Sequence, residues 1–249
     1  ASDVYKRQLM GSERIHLFDT PLLVSRNMGL AVDQRAAKRV MDILISGIGI
    51  IITSPIMLII AIAVKAYDRG PVFYFQDRLT LGGKPFKICK FRSMCVDSEK
   101  NGARLASKHD SRITPVGHVL RNLHLDELPQ LFNVFKGDMS LVGPRPERES
   151  IMLEYEKELP EFYYRLKVKA GLTGYAQVYG KYNTTPYDKL KLDLFYIENY
   201  SFLLDIKLIF MTVKIFFQKE VSEGVDDRQV NALKDSGKNV GVSENKTEE

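Results

Sequence analysis

The feature that most constrains this chain is an uncharged apolar run. Residues 43–64 form 22 consecutive positions without a charged side chain. As a straight helix at about 1.5 Å per residue, the run would reach roughly 33 Å, enough to cross the hydrocarbon core of a bilayer. Helices in soluble cores rarely stay apolar on every face over such a length. A signal peptide is disfavoured because the run begins late and lacks a convincing processing site. The sequence therefore predicts a membrane segment.

The path of this segment through the membrane depends on its centre and on its flanks. Ser54 and Pro55 lie at the midpoint, where proline removes a backbone donor and crowds the carbonyl four residues earlier. Proline also occurs in spanning helices, so the pair alone does not decide the topology. Basic residues flank both ends: Arg35, Lys38, Arg39, Lys65, Arg69 and Arg78. By the positive-inside tendency both ends face the cytoplasm, and we favour a re-entrant helix–break–helix at residues 38–69 rather than a span.

The remaining sequence divides by composition. The chain has 36 Lys and Arg against 31 Asp and Glu, a net charge of +5, and this excess suits an anionic partner. Residues 219–249 combine eight acidic and five basic residues with little apolar content, which predicts a disordered tail. Residues 1–37 are predicted to be an N-terminal extension or linker. Residues 70–218 are predicted to form a small, helix-rich α/β domain of the α+β kind.

A second, shorter apolar stretch covers residues 202–217 and is interrupted by Asp205, Lys207 and Lys214. It is short for a span, and we predict an amphipathic helix at the membrane interface. An amphipathic helix packed on the globular domain is the alternative.

The pattern of the central domain predicts a hairpin, a loop and a helix. Residues 72–78 and 86–94 favour two short strands joined by a turn at residues 81–85, and residues 97–112 favour a polar loop. A helix with one buried stripe is predicted because apolar residues recur at helical spacing: Leu128, Leu131, Phe132 and Phe135. Pro129 is tolerated only in a first turn, so the helix is predicted to start near Asp126.

Asp126 and Glu127 are adjacent carboxylates at this predicted helix start. Free N–H groups and the helix dipole favour anions there, so a helix cap is the alternative role for Asp126. Basic residues lie nearby in the sequence, the last of them between two prolines: Lys90, Arg92, Arg121 and Arg145. Carboxylates that bind Mg²⁺ or attack phosphorus, among cations that offset developing charge, are typical of metal-assisted phosphoryl transfer.

Four blocks of the sequence resemble successive blocks of the bacterial sugar transferases, the monotopic polyprenyl-phosphate phosphoglycosyl transferases. They cover residues 38–65, 86–94, 125–146 and 169–183. The resemblance implies a small α/β catalytic domain, facing the cytosol, on a re-entrant helix in the bacterial inner membrane, with amphipathic helices at the interface. It implies transfer of a sugar 1-phosphate from a UDP-sugar to undecaprenyl phosphate with release of UMP, the first membrane step of surface glycan assembly.

The same resemblance assigns roles to individual residues. Asp126 matches the proposed nucleophile and Mg²⁺ ligand, and Glu127 is its catalytic neighbour. Ser54 and Pro55 match the family's helix breaker. Substrate or phosphate binding falls to Lys90, Arg121, Arg145 and Asp193. A solvated helix carboxylate is the alternative for Asp193, and a plain structural turn is the alternative to a phosphate-facing turn at residues 171–174.

Other function classes fit the sequence less well. A nucleic-acid-binding protein would leave the apolar run unexplained, and none of the helix motifs of that class occurs. A membrane-anchored scaffold without catalysis would not need Asp126 and Glu127 together with Arg145. The sequence leaves open which sugar is transferred, and it leaves the oligomeric state open, with a homodimer as one option.

Overall fold

A computed structural model describes residues 30–96, 98, 110–180 and 184–215 in full, and residues 12–17, 20–25 and 216 as backbone. The predicted tail at residues 219–249 and most of the predicted loop at residues 97–112 lie outside the described residues.

The described chain combines α-helices with short strands. In chain order they are β1 (Ser12–Leu17), β2 (Thr20–Ser25), α1 (Val32–Asp68), β3 (Phe73–Leu79), β4 (Pro85–Phe91), α2 (Pro115–Asn122), α3 (Gln130–Lys136), β5 (Ser140–Val142), α4 (Glu149–Glu158), β6 (Gly171–Thr173), α5 (Tyr175–Tyr179), α6 (Pro186–Glu198) and α7 (Phe202–Phe216). Short 3₁₀ segments occupy Leu81–Gly83, Leu125–Glu127 and Pro160–Lys167. The strands pair as β1–β2, β3–β4 and β5–β6, so the helix-rich α/β prediction is confirmed.

Helix α1 has 37 residues and is the one helix in the described part of the chain that is long and apolar enough to cross a membrane. It continues through Ser54 and Pro55, where the sequence predicts a break. Pro55 cannot donate to the Ile51 carbonyl, and the Ser54 hydroxyl donates to that carbonyl instead, at 2.9 Å. Ser54 thus satisfies the acceptor that Pro55 leaves free. The re-entrant path stays a prediction.

Strands β3 and β4 form the predicted antiparallel hairpin, with Phe73 opposite Phe91 and Leu79 opposite Pro85. Its turn needs glycine because φ is +68° at Gly82 and +75° at Gly83, in the left-handed region. The hairpin prediction is confirmed.

Helix α3 begins at Gln130, four residues later than the predicted start at Asp126, and the Asp-Glu pair lies in the preceding 3₁₀ turn. The predicted buried stripe is confirmed only in part, since Leu128 and Leu131 are half-buried and pack against the core clusters. The buried side chains are Gln130, Asn133 and Val134, whereas Phe132 and Phe135 are 46% and 48% exposed.

Helix α1 packs along the domain and carries part of its core. Met57, Ile60 and Val64 pack with Phe91 of β4 and Leu120 of α2 in one buried cluster. A larger cluster joins the hairpin, α3, β5, α4, the segment before β6, and α6.

Helix α7 shows both predicted features. Asp205 and Leu208 are fully buried against the domain, whereas Leu203 and Phe210 are 76% and 72% exposed. One face of α7 therefore packs on the domain and the other presents apolar surface. Its position at a membrane interface stays a prediction.

Candidate active site

The hairpin and the 3₁₀ turn Leu125–Glu127 bring a lysine to the carboxylate pair. Lys90 lies on β4, opposite Tyr74 of β3. The turn is set by His124, whose φ of +52° reverses the chain after α2. In this arrangement Lys90 Nζ donates to Glu127 Oε1 at 2.6 Å.

Arg145 approaches Glu127 from the segment that follows β5. Its Nη2 lies 2.7 Å from Glu127 Oε1 and its Nη1 lies 3.4 Å from Oε2. Burial alone would raise the pKa of Glu127, but Arg145 and then Lys90 hold that pKa well below its usual range. Glu127 is therefore ionised and neutralised by two cations.

Asp126 has different surroundings. It is only 9% exposed, and among the described residues its carboxylate has no hydrogen-bond or ion-pair partner. Burial, followed by the negative charge of Glu127, raises the pKa of Asp126, while Lys90 and Arg121 oppose that rise. The carboxylate is buried without being neutralised, which is costly for a purely structural group. The helix-cap alternative is wrong, since α3 begins later and has no side-chain cap.

Arg121 reaches the same place from α2. Thr114 caps that helix by accepting from the Gly117 amide at 2.9 Å. A Cβ at Gly117 would lie 1.9 Å from the Ser93 carbonyl oxygen, so glycine lets the helix closely approach the segment that follows β4. The Arg121 Nε then donates to the Ser93 hydroxyl at 2.9 Å.

Asp126, Lys90 and Arg121 line one cleft of about 350 Å³. Arg145 lies beside this cleft, because it pairs with Glu127, which also pairs with Lys90 of the cleft wall. The Arg145 side chain is 43% exposed. The structure thus brings together the five residues predicted for the centre of the site.

Asp193 is not brought to the cleft. It lies on α6, is 1% exposed, and accepts from Arg165 Nε at 3.0 Å and Nη2 at 2.8 Å. Burial raises its pKa, and Arg165 opposes that shift. Arg165 Nη2 also donates to the Arg145 carbonyl at 2.9 Å, so Asp193 supports the backbone behind Arg145. The solvated-carboxylate alternative is wrong as well.

Residues 171–174 have a structural role. Strand β6 pairs in parallel with β5, and the Gly143 amide donates to the Thr173 carbonyl at 2.8 Å. A Cβ at Gly171 would lie 2.1 Å from the Gly143 nitrogen. Glycine is needed for this close approach, and the segment does not line the cleft of Asp126.

A model of the family described as bacterial sugar transferase matches residues 33–219. The chain belongs to the bacterial sugar transferase family. It is 46% identical over 180 residues to the UDP-N-acetylgalactosamine-undecaprenyl-phosphate N-acetylgalactosaminephosphotransferase of Aeromonas hydrophila, covering 71% of this chain and 43% of the relative.

Two further relatives carry one name, UDP-glucose:undecaprenyl-phosphate glucose-1-phosphate transferase. The protein of Klebsiella pneumoniae is 42% identical over 211 residues, which is 83% of this chain and 44% of the relative. That of Caulobacter vibrioides is 38% identical over 203 residues, covering 78% of this chain and 75% of the relative. The chain spans less than half the length of the Aeromonas and Klebsiella relatives.

The cleft of Asp126 suits one particular kind of magnesium site. No group of three or more His, Cys, Asp and Glu side chains occurs among the described residues, so a site made of protein ligands alone is not formed there. Mg²⁺ commonly takes one or two carboxylates and completes its shell with substrate phosphates and water. Asp126 has a carboxylate without a partner and fits such a shared site, whereas Glu127 is occupied by Lys90 and Arg145.

Sequence reasoning missed part of the cleft wall. Arg78, Arg112 and Arg148 line it together with Tyr74 and Gln76. The signal was present in β3, where Tyr74, Gln76 and Arg78 alternate with more exposed residues and so share one face of the strand. Nothing in the local sequence marks Arg112, whereas Arg148 lies only three residues after Arg145 and could have been noticed there.

Proposed function

We propose that the chain contains the catalytic domain of a phosphoglycosyl transferase that faces the cytoplasm at the bacterial inner membrane. It moves a sugar 1-phosphate from a UDP-sugar to undecaprenyl phosphate and releases UMP. The names of the relatives support this reaction class. The observation that carries the proposal is the buried, unpaired carboxylate of Asp126, in a cation-lined cleft beside the candidate membrane helix.

Asp126 acts as the nucleophile. Its carboxylate oxygen attacks the β-phosphorus of the UDP-sugar, the bond from that phosphorus to the bridging oxygen breaks, and UMP leaves with the electron pair. An oxygen of undecaprenyl phosphate then attacks the phosphorus of the aspartyl phosphosugar. This step forms the diphosphate bond and restores the Asp126 carboxylate. The two-step route lets a soluble donor and a lipid acceptor react in turn.

The surrounding side chains prepare this attack. Burial weakens the solvation of the Asp126 anion, which raises its pKa and makes the carboxylate a better nucleophile. Lys90 and Arg145 bind Glu127 and supply positive charge near the reacting phosphorus. Arg145 and Arg121 bind phosphate oxygens, because a guanidinium matches them with two parallel hydrogen bonds. Mg²⁺, when bound at Asp126, would reduce the repulsion between the anionic nucleophile and the anionic phosphate.

The test measures UMP release from a panel of UDP-sugars, with undecaprenyl phosphate in nanodiscs. Asp126→Asn should abolish UMP release and also the phosphosugar adduct that intact-mass spectrometry detects when the lipid acceptor is omitted. The matched control is Asp77→Asn, an exposed carboxylate on β3, and it should keep both signals. Double-reciprocal plots of the initial rate against UDP-sugar concentration, at several concentrations of undecaprenyl phosphate, should give parallel lines, as expected for a two-step ping-pong reaction. Intersecting lines with no adduct would indicate direct transfer, with Asp126 as a metal ligand only.

A further inference from the structure

A second cleft, of about 700 Å³, lies at the N-terminal end of α1 and shares no lining residue with the cleft of Asp126. Its wall is formed by the first turns of α1, by β5 and by the end of the segment Pro160–Lys167. Five basic residues and one acidic residue line it: Arg35, Lys38, Arg39, Lys167, Lys169 and Asp42. The proposed reaction uses none of these side chains.

The negative charge near this cleft is already engaged. Lys38 Nζ lies 2.6 Å from Asp205 Oδ2, so that pair is internally balanced. The Asp42 carboxylate accepts from the Ser140 hydroxyl at 3.1 Å and from the Leu141 amide at 2.9 Å. Within the described residues, no carboxylate is paired with the other four cations, Arg35, Arg39, Lys167 and Lys169.

These four cations differ in what they contact. Arg39 donates to the Val134 carbonyl at 2.8 Å, and Lys169 donates to the Gly137 carbonyl at 2.8 Å. Lys167 stands over the Tyr164 ring, 4.7 Å from its centre, and Arg35 is exposed. Burial, followed by the positive charge of Arg39, lowers the pKa of Lys169, as expected for cations held together without enough anions.

The position of the cleft identifies the anion that suits it. Arg35 and Arg39 precede the charge-free run that starts at residue 43 by about 6–12 Å along the helix axis. The exposed apolar surface of α1 begins there, with Leu44 at 59% and Ile48 at 57% exposure. A cationic cleft beside the first turns of a candidate membrane helix lies at the depth where lipid phosphates are found.

We propose that this cleft binds the phosphate headgroup of an anionic membrane phospholipid. Arg35 and Lys167 contact the phosphate, because of the four unpaired cations they are the two whose side chains make no hydrogen bond within the described chain. Arg39 and Lys169, whose side chains donate to backbone carbonyls, add positive charge to the cleft without contacting the phosphate. Leu30, Val32 and Leu81 give the cleft an apolar part that suits the glycerol and the first methylenes of the acyl chains.

The test counts lipids that stay bound to the detergent-purified chain in native mass spectrometry. Phosphatidylglycerol should bind and phosphatidylcholine should not, since the latter carries no net charge. Arg35→Ala with Lys167→Ala should weaken phosphatidylglycerol binding roughly 30-fold, because each removed charge near the membrane surface costs about fivefold in binding. Arg35→Lys with Lys167→Arg keeps both charges and should restore binding.

A matched double variant, Lys87→Ala with Lys157→Ala, removes two exposed cations outside the cleft and should leave lipid binding unchanged. Equal retention of both lipids, or equal loss in the two double-alanine variants, would overturn the proposal. Displacement of phosphatidylglycerol by millimolar inorganic phosphate would also overturn it and indicate a site for free phosphate. UMP release with Asp126 intact is a separate measurement, so failure here would not count against the proposed reaction.

Discussion

Arg145 contacts Glu127 through both terminal nitrogens, and this geometry cannot be reproduced by a lysine. Arg145→Lys keeps the charge and loses the planar fork, so we expect turnover to fall roughly 100-fold, as for the loss of one preorganised donor. Initial rates of UMP release check this, and an unchanged thermal unfolding midpoint is the control for folding. Turnover at the level of the unmodified chain would remove Arg145 from the site.

Glu147 makes stability depend on pH. Burial would raise its pKa, but Lys189 and then Arg165 lower it from 4.5 to about 2. The carboxylate therefore contributes stability above about pH 4.5, and this contribution is lost as the pH falls toward 2. Glu147→Gln should unfold at a lower temperature than the unmodified chain at pH 7, and the difference should shrink below pH 4.5. A constant difference from pH 7 to pH 3 would contradict this; the exposed Glu158→Gln is the control.

At the scale of elements, α1 decides the topology. Both of its ends carry basic residues, and the Ser54 hydroxyl satisfies the carbonyl that Pro55 leaves free. We expect single cysteines at the exposed positions Ala36 and Ala66, in a chain without Cys89 and Cys95, to be shielded from an impermeant thiol reagent in intact cells. Both should react after permeabilisation. Labelling of either position from outside would establish a span.

Helix α3 shows where a sequence pattern fails. Its apolar spacing predicts a buried stripe that includes Phe132 and Phe135, yet both rings are exposed, and Phe135 lies near Gly47 of α1. The helical pattern assumes that water surrounds the exposed face, and this assumption fails beside a candidate membrane helix. The buried position belongs to Asn133, whose partners are backbone groups of β4 that no local pattern reveals.

Asn133 joins α3 to the hairpin that carries Lys90. Its Oδ1 accepts from the Cys89 amide at 2.9 Å and its Nδ2 donates to the Lys87 carbonyl at 2.8 Å. Asn133→Ala leaves both groups without a side-chain partner, and we expect a loss of about 2 kcal/mol in the free energy of unfolding. Denaturant titration in detergent measures it. The control Asn122→Ala removes an exposed amide, and an equal effect in both variants would contradict the assignment.

For the whole molecule, the sequence predicted the residues at the centre of the site better than those that support it. Lys90, Asp126, Glu127 and Arg145 occur in short motifs, and the structure brings them together. The position of Asp193 could not be predicted, because its partner Arg165 lies 28 residues away and neither residue has a distinctive context. Long-range pairs between buried charges depend on how elements pack, and local patterns do not contain that information.

A buried ion pair between residues distant in sequence also stabilises the packing of the candidate membrane helix on the domain. Lys38 of α1 donates to Asp205 of α7 at 2.6 Å, and Tyr196 donates to the other carboxylate oxygen of Asp205 at 2.7 Å. Asp205→Asn leaves the Lys38 ammonium buried without its counter-charge, so we expect the unfolding midpoint in detergent to fall by roughly 10 °C. Lys38→Met and Asp205→Leu, each made alone, should have a similar effect. The double variant Lys38→Met with Asp205→Leu removes both charges and should recover most of the loss, because no buried charge is left unpaired. Additive losses in the double variant would show that the two side chains act independently and that α1 is fastened by its apolar contacts alone.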